Sequence, residues 1–574
     1  MDCEIVDAET KNELLNLIGR EDELKTRFSK MLHFGTAGLR GIIGAGLNRM
    51  NIYTVRFATQ GLSDLILEEG VEGTKRGVCI AYDSRQYSEV FAWEAACTLS
   101  ANGISVFIFD ECRPTPELSF SIRELGAIAG INITASHNPK EYNGYKVYWE
   151  DGAQLPPQHA VKISNRLGEM DIFTDVKTCS KEEAMENGYI TVMGKDCDEI
   201  YIEKVLAESV GKKYVTEAAG QFRLIYTPIH GTGYRLVPEV LRRLGVKGVR
   251  TVPEQIEPDG SFPTTRSPNP EEKEALELAI DLANREGIDL VIGTDPDCDR
   301  VGIAVRNHQG MFQTLTGNQI GVLLLEYLIK MGLENGTLHP NSVVIKSIVS
   351  TDMARKITNH YGIHLIDVLT GFKYIGEKIK EFEEKNEHRF LFGFEESNGY
   401  LVGTYARDKD AVVASMLIAE MACYYSMKNL SLFDALQKLY KKYGYFNEHC
   451  ESITINGLNG VELINSIMKN LRSNPLLDMN NTPVMEVRDY KTGVMRNVVT
   501  GKEEFTNLPQ ADVLFYELKD GSSIVIRPSG TEPKLKLYIM VKADSKENVE
   551  EKIEQYLRYC KTLIEKMSQN DIYI

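Results

Sequence analysis

The chain has 574 residues, 43% hydrophobic, 26% charged and 9% aromatic, with 46 Gly and 19 Pro, close to the average for soluble globular proteins. This excludes a disordered, collagenous or coiled-coil chain, and because single cores stop growing at roughly 250 to 300 residues, the length predicts about four domains. With 65 Lys and Arg against 82 Asp and Glu, the formal charge is -17, which disfavours diffuse attraction to nucleic acid or anionic lipid, so an anionic ligand must meet a local basic cluster.

The N-terminus, MDCEIVDAETKNELLNLIG, carries acids where a secretion signal needs positive charge, and no run of about 18 apolar residues occurs. A cytoplasmic chain with no nucleic-acid and no membrane partner is expected. The ten Cys contain no C-x-x-C pair, and several lie in apolar runs such as GVCIAY and EAACTL. Reduced, mostly buried thiols are therefore expected, not a disulfide or zinc framework.

In chain order, Tyr53 to Leu67 has helical spacing, GVCIAYD reads as a strand, Glu89 to Ala101 as a helix, ISVFIFD as a strand, and AIAGINITA as another strand after a short helix. The rhythm returns with FRLIYTP (222–228), a helix from Tyr234 to Leu244, VRTV, a helix from Glu271 to Glu286, and IDLVIGTD (288–295). It returns again with Gln319 to Lys330, SVVIKSIV, HLIDVL, a helix from Tyr374 to Glu384, and RFLFGFE (389–395). From about residue 450, strands ITING, PVMEVRDY, VLFYEL, SSIVIRP and LKLYIMV surround two helices, Gly460 to Leu471 and Lys546 to Met567, the pattern of an α+β domain. Binding loops of the α/β segments are expected beyond the carboxyl ends of their strands.

The most informative loop is IDLVIGTDPDCDRVGIAV, where Asp295, Asp297 and Asp299 follow an apolar strand at alternate positions. If the extended conformation persists, all three carboxylates face one side. Three such anions need a cation, and an all-oxygen set suits a hard ion such as Mg²⁺. An EF-hand is excluded, because its sixth position, where Gly is needed, is Arg300, and its twelfth is Arg306. The open coordination positions call for a further ligand, and Ser136 in ITASHNPKEYNGYKVYW is a candidate, with Lys140 and Lys146 nearby. Its flanks do not make the G-x-S-x-G elbow of a serine hydrolase. RPSGTEPK, Arg527 to Lys534, offers a guanidinium, two hydroxyls and a Gly-permitted concavity of N–H groups suited to phosphate. FGTAGLRG combines Gly flexibility with Arg40 but lacks the G-K-[ST] of a P-loop. GFEESNGY brings Glu395, Glu396 and Ser397 to a strand end, where they can accept hydrogen bonds from sugar hydroxyls.

Taken together and in order, TASHNP, GTDPDCDR, GFEESNG and RPSGTEPK resemble the hallmark motifs of the α-D-phosphohexomutase superfamily, the phosphoglucomutases and phosphomannomutases. GTAGLRG, CRPTPEL, TPIHGTG and TGFKYIG add to the likeness, which covers nearly the whole chain from Phe34. The wording is most similar to the subgroup of bacterial α-phosphoglucomutase and mammalian phosphopentomutase; the muscle-type sugar loop, GEESFG, reads FEESNG here. The resemblance implies three similar mixed-sheet α/β domains and a smaller C-terminal α+β domain around a central cleft, at 1–205, 206–318, 319–445 and 446–574. It implies a phosphoserine at Ser136 that, with Asp295, Asp297 and Asp299, holds Mg²⁺. Small-molecule phosphosugars are the implied partners, and glucose 1,6-bisphosphate the activator and intermediate. Glucose 1-phosphate and glucose 6-phosphate would be interconverted, with mannose or pentose phosphates, a bisphosphate synthase or a non-catalytic binder as the alternatives. Lys146 and His137 resemble the proton-transfer residues, with Lys146 ranked above Lys409, and the resemblance implies that Arg40 and Arg300 stabilise charge around the transfer. Arg300, Lys373, Glu395, Ser397, Lys409, Arg527, Ser529, Gly530 and Thr531 resemble substrate-binding positions.

Overall fold

The computed structural model describes residues 5–35, 38–218, 220–455, 460–529 and 534–570. The first sheet has six strands, β1 (Leu39–Ile42), β2 (Val78–Tyr82), β3 (Val106–Phe109), β4 (Ala129–Ile133), β5 (Tyr142–Trp149) and β6 (Ile190–Met193), ordered β1-β5-β4-β2-β3-β6. Strands β2, β3, β4 and β6 are parallel, while β5 runs antiparallel to both β4 and β1. The second sheet, β7 (Arg223–Thr227), β8 (Gly248–Thr251), β9 (Leu290–Thr294), β10 (Val301–Arg306) and β11 (Phe312–Leu315), is ordered β11-β10-β9-β7-β8. The third, β12 (Ser342–Ser347), β13 (His364–Val368), β14 (Arg389–Glu395) and β15 (Gly399–Leu401), is ordered β13-β12-β14-β15.

One topology recurs in all three. A central strand (β2, β7, β12) leads to a parallel neighbour on one side (β3, β8, β13), and the chain then crosses to the other side (β4, β9, β14) before an antiparallel return (β5, β10, β15). The strand order thus reverses beside the central strand, where open α/β sheets leave a ligand crevice at the carboxyl ends. The turns after β4, β9 and β14 sit at this point. Each holds one non-glycine residue in the left-handed region, Ser136 (φ 52°), Cys298 (φ 53°) and Asn398 (φ 60°), a conformation that costs an L-residue about 1–2 kcal/mol.

The last sheet is antiparallel. It comprises β16 (Tyr445–Thr454), β17 (Asp478–Met479), β18 (Thr482–Asp489), β19 (Val494–Asn497), β20 (Glu503–Phe505), β21 (Leu514–Leu518), β22 (Ser523–Pro528) and β23 (Lys534–Ala543). Helices Gly460–Ser473 and Lys546–Asn570 bury Ile464, Ile467, Ile553 and Tyr556 against it.

Helix Ala411–Ser426, AVVASMLIAEMACYYS, is buried almost throughout; an element apolar on all faces belongs in the centre. It joins the second and third units in one continuous core, Val240 and Leu241 packing in the same cluster as Met416 and Ile418. Asp410 caps its start, accepting the N–H groups of Val412 and Val413 and the hydroxyls of Tyr201 at 2.8 Å and Tyr405 at 2.6 Å. This anchors the segment just before it, which carries Asp408 and Lys409. Ile348, Val349 and Leu369 of the third unit pack on Tyr490, Phe515 and Tyr538 of the fourth. The nine described cysteines are unpaired, five of them buried, and among the described residues no helix is long and apolar enough to cross a membrane.

Candidate active site

Ser136 lies in the left-handed turn after β4 and is buried. The turn is held from within by Arg85, which follows β2. Its guanidinium donates to the carbonyls of Ser136 and Asn138, and to those of Pro139 at 2.9 Å and Tyr142 at 3.1 Å. Asp83, also fully buried, pairs with Arg85 at 3.3 Å. The Ser136 N–H donates to Thr134 Oγ1 at 2.8 Å, and its hydroxyl donates to Asp295 Oδ2 at 2.8 Å and lies 3.1 Å from His137 Nδ1. Burial, reinforced by Arg300 and Arg40, holds the His137 imidazole well below its ordinary range and so neutral. Arg40, on β1, donates to Asn138 Oδ1 at 3.2 Å.

The three aspartates do converge, but not by the extended geometry expected from their spacing. Instead the chain turns: Cys298 N–H donates to Asp295 O at 2.9 Å, and Asp295 Oδ1 accepts the N–H groups of Asp299 at 3.1 Å and Arg300 at 2.9 Å. The turn places the ligand atoms of all three buried carboxylates within 4.8 Å of one another. At an effective dielectric of about 20, each like-charged pair at that distance repels by about 3.5 kcal/mol. Lys146 Nζ offsets part of this, 2.8 Å from Asp297 Oδ2 and 3.7 Å from Asp299 Oδ2, as does Lys409 Nζ, 3.1 Å from Asp299 Oδ2. Arg300 approaches Asp299 at 3.8 Å and bonds Glu271 at 3.0 Å.

Burial, with Asp297 and Asp299 adding to it, pushes Asp295 well above the usual carboxylate range. Burial works the same way on Asp297, but the Lys146 charge and hydrogen bond overcome it and hold Asp297 below that range. Burial would favour neutral Lys409, yet Asp299 and Asp408 keep it charged and above the usual lysine range. Two buried carboxylate oxygens, Asp297 Oδ1 and Asp299 Oδ1, have no hydrogen-bond partner. Buried polar atoms are rarely left unpaired, so these oxygens and the all-oxygen donor set fit a hard divalent cation.

At the third turn, Glu395 Oε1 accepts the Gly371 N–H at 2.6 Å, and burial together with Glu396 pushes Glu395 up to about 7. Glu396 accepts from Ser347 Oγ at 2.9 Å. Asn398 joins this turn to the metal loop's return strand: its Nδ2 donates to Val301 O at 3.0 Å and its carbonyl accepts Val301 N–H at 3.1 Å. Ser397 is half-buried beside it. Lys373 begins helix Lys373–Lys385, and burial lowers its ammonium from the ordinary lysine value. Asp408 ties the third unit to the first, accepting from Tyr148 at 2.9 Å and Gln154 at 3.1 Å, and it also accepts from Lys409 at 3.1 Å. In the fourth unit Arg527 lies on β22 opposite Lys536 of β23, and Ser529 N–H donates to Lys534 O at 2.8 Å. Tyr538 on β23 is pushed up by burial and by Glu396 of the third unit, against Arg527. Gly530 and Thr531 lie outside the described residues.

Four family models match the chain in succession. Phosphoglucomutase/phosphomannomutase alpha/beta/alpha domain I matches residues 31–171, domain II 199–310, domain III 316–443, and the C-terminal domain 463–556. The chain belongs to the phosphoglucomutase/phosphomannomutase family. The phosphoglucomutase of Staphylococcus saprophyticus is 35% identical over 536 residues, covering 93% of this chain and 94% of that one. The structure of a putative phosphomannomutase from Thermus thermophilus superposes with a TM-score of 0.67 at 21% identity, over 93% of this chain and 99% of that one. The N-acetylphosphoglucosamine mutase of Aspergillus fumigatus, solved in complex with GlcNAc-6P and magnesium, superposes with a TM-score of 0.52 at 12% identity, over 96% and 99%. As a member of this family the chain is an enzyme of the isomerase class, an intramolecular phosphotransferase.

Among the residues singled out in the sequence, one network of bonds and ion pairs links Ser136, His137, Lys146, Asp295, Asp297, Asp299, Arg300 and Lys409, and Arg40 joins it through Asn138 and Arg85. Glu395 feels the charges of Lys409 and Arg300, after burial and Glu396; Lys373, Arg527 and Ser529 make no hydrogen bond to this network among the described residues. Four residues have roles that the sequence did not assign, Arg85, Thr115, Asp408 and Asn398, although Thr115 lies in CRPTPEL and Asn398 in GFEESNGY. Arg85 had a usable signal, a charged residue three positions beyond Tyr82 at the end of an apolar strand.

Proposed function

We propose that the chain interconverts glucose 1-phosphate and glucose 6-phosphate, with Ser136 as the phosphoryl carrier. The observation that carries the reading is the Ser136 hydroxyl, 2.8 Å from Asp295 in a buried three-carboxylate cluster with unpartnered oxygens. Asp295, Asp297, Asp299 and the Ser136 side chain would hold Mg²⁺, which when bound supplies Lewis-acid polarisation of phosphoryl oxygens. The family relationship to phosphoglucomutases supports glucose as the sugar.

Phosphorylated Ser136 gives its group to the free hydroxyl of the bound sugar phosphate. The Ser Oγ–P bond breaks, a sugar O–P bond forms, and the hydroxyl proton moves to a protein base. The resulting 1,6-bisphosphate turns over, and its other phosphate returns to Ser136. Lys146, on β5 beside the aspartates, is assigned to the proton transfer, and neutral His137 orients the serine oxygen. Lys409, held charged by Asp299 and Asp408, serves electrostatically. Arg40 and Arg300 offset charge on the transferring group, as preorganised dipoles and charges do at low cost in a dry site. Glu395 and Ser397 accept sugar hydroxyls, and Lys373 contributes to the same loop. Arg527, Ser529, Gly530 and Thr531 are assigned to the non-reacting phosphate. The unpaired thiols of the described residues support a cytoplasmic setting.

A coupled assay with glucose 1-phosphate, mannose 1-phosphate and ribose 1-phosphate, each with Mg²⁺ and trace glucose 1,6-bisphosphate, tests the assignment. The highest kcat/KM is expected for glucose 1-phosphate, and a larger value for either other sugar would overturn it.

A further inference from the structure

Thr115 opens helix Thr115–Leu125 in the first unit and is fully buried, 182 residues from the metal loop of the second. It grips Asp297 twice. Its N–H donates to the Asp297 carbonyl at 2.9 Å, and its hydroxyl donates to Asp297 Oδ2 at 2.8 Å. A threonine hydroxyl carries a single proton, and here the direction of that proton is set from behind, because Asn132 Nδ2 donates to Thr115 Oγ1 at 2.6 Å. Asn132 itself is the polar residue in an otherwise apolar, fully buried strand, and it stands opposite Lys146 across the β4–β5 ladder.

Two donors, Thr115 and Lys146, therefore occupy Asp297 Oδ2, while Oδ1 is left buried without a hydrogen bond. A carboxylate fixed at one oxygen by two donors cannot rotate to pair the other. The same helix start that fixes it belongs to the unit carrying Ser136. We infer that Thr115 is a positioning residue: the relay Asn132–Thr115 orients Asp297 so that Oδ1 is presented to the cation, and registers the metal loop of one unit on the serine loop of the other. The inference rests on the metal reading above, and concerns how that site is built. Partners of this kind behind metal ligands typically change metal affinity or activity by about 10–100-fold when removed.

The test is Mn²⁺ titration of the metal-free full chain, with free Mn²⁺ read by electron paramagnetic resonance. Thr115→Val keeps the shape and the N–H but loses the hydroxyl, and should weaken Mn²⁺ binding about 10–100-fold. Thr115→Ser should restore affinity to within about threefold of the unsubstituted chain, since the hydroxyl is what matters. Turnover of Thr115→Val should show a lowered kcat with KM for glucose 1-phosphate little changed. Asn132→Leu should weaken Mn²⁺ binding, and adding it to Thr115→Val should cost little more, because residues acting through one another are non-additive. Unchanged Mn²⁺ affinity in Thr115→Val, or fully additive losses in the double variant, would overturn the relay. Should Thr115→Val not fold, Asn132→Leu with undiminished affinity would do the same. Failure of the unsubstituted chain to take up Mn²⁺ would instead remove the metal reading, and the relay with it.

Discussion

Glu395 shows how one buried carboxyl can tie substrate affinity to pH. Burial and the neighbouring Glu396 raise it from 4.5 to about 7, so it is protonated below neutrality and loses its strength as a hydroxyl acceptor there. KM for glucose 1-phosphate should rise as pH falls from about 8 to 6, and Glu395→Gln should flatten that dependence; an equally steep profile in the variant would assign the effect elsewhere. Stability runs the opposite way. A folded-state value raised above 4.5 contributes stability that is complete below about 4.5 and is lost as pH rises through about 7. Ser136 and the three aspartates were legible in sequence because each follows an apolar strand directly, where a polar cluster has no packing role. The roles of Thr115 and Asp408 were not, since they depend on partners 182 and 260 residues away, and no local pattern carries that; Arg85 offered only its place just past an apolar strand, with its partner Ser136 lying 51 residues on. The extended geometry expected for the aspartates failed because the Asp295 side chain captures two following N–H groups and bends the chain.

Among the elements, helix Gly317–Asn335 shows how tightly the third turn is seated. A Cβ at Gly317 would lie 2.2 Å from Glu396 O and 2.6 Å from Asn398 N, both backbone atoms. Gly317→Ala must therefore shift the sugar-loop turn, and should cost about 1–3 kcal/mol of stability and raise KM. Calorimetry with an unchanged melting temperature would mean the turn yields freely. Elements with a clear period, such as Ile52–Glu68 and Lys273–Glu286, are readable in advance. Helix Ala411–Ser426 is not, because burial on all sides erases the helical period. The ten-residue strand β16 was foreseen only at its ITING end, since its run NEHCES is polar and half-exposed and offers no apolar alternation.

Over the whole molecule, the three α/β units were visible in sequence only as a rhythm, yet they share one strand topology with no close sequence repeat. What fixes the topology is where apolar strands reverse order, which many side-chain sets satisfy. The fourth unit joins through β16 and an apolar contact to Ile348, Val349 and Leu369, and Arg527 makes no ion pair with any described residue. Arg527→Ala should accordingly leave the melting temperature within about 1 °C, since surface substitutions that break no pairing rarely cost more than about 0.5 kcal/mol. KM should rise about tenfold or more, and a normal KM would take Arg527 out of the phosphate site. Small-angle scattering should show compaction when glucose 1,6-bisphosphate draws the fourth unit towards the other three.

The left-handed backbone at Ser136 has an evolutionary cost. A residue that bears the nucleophile must carry a Cβ, while the turn itself would be most comfortable with none. Ser136→Ala should lose turnover and keep the strain; Ser136→Gly should lose turnover and shed it, melting higher by an amount equivalent to about 1 kcal/mol. Equal melting temperatures would show the strain to be absent. Relatives freed from catalysis would then drift towards glycine here, so the serine persists only while its chemistry is under selection.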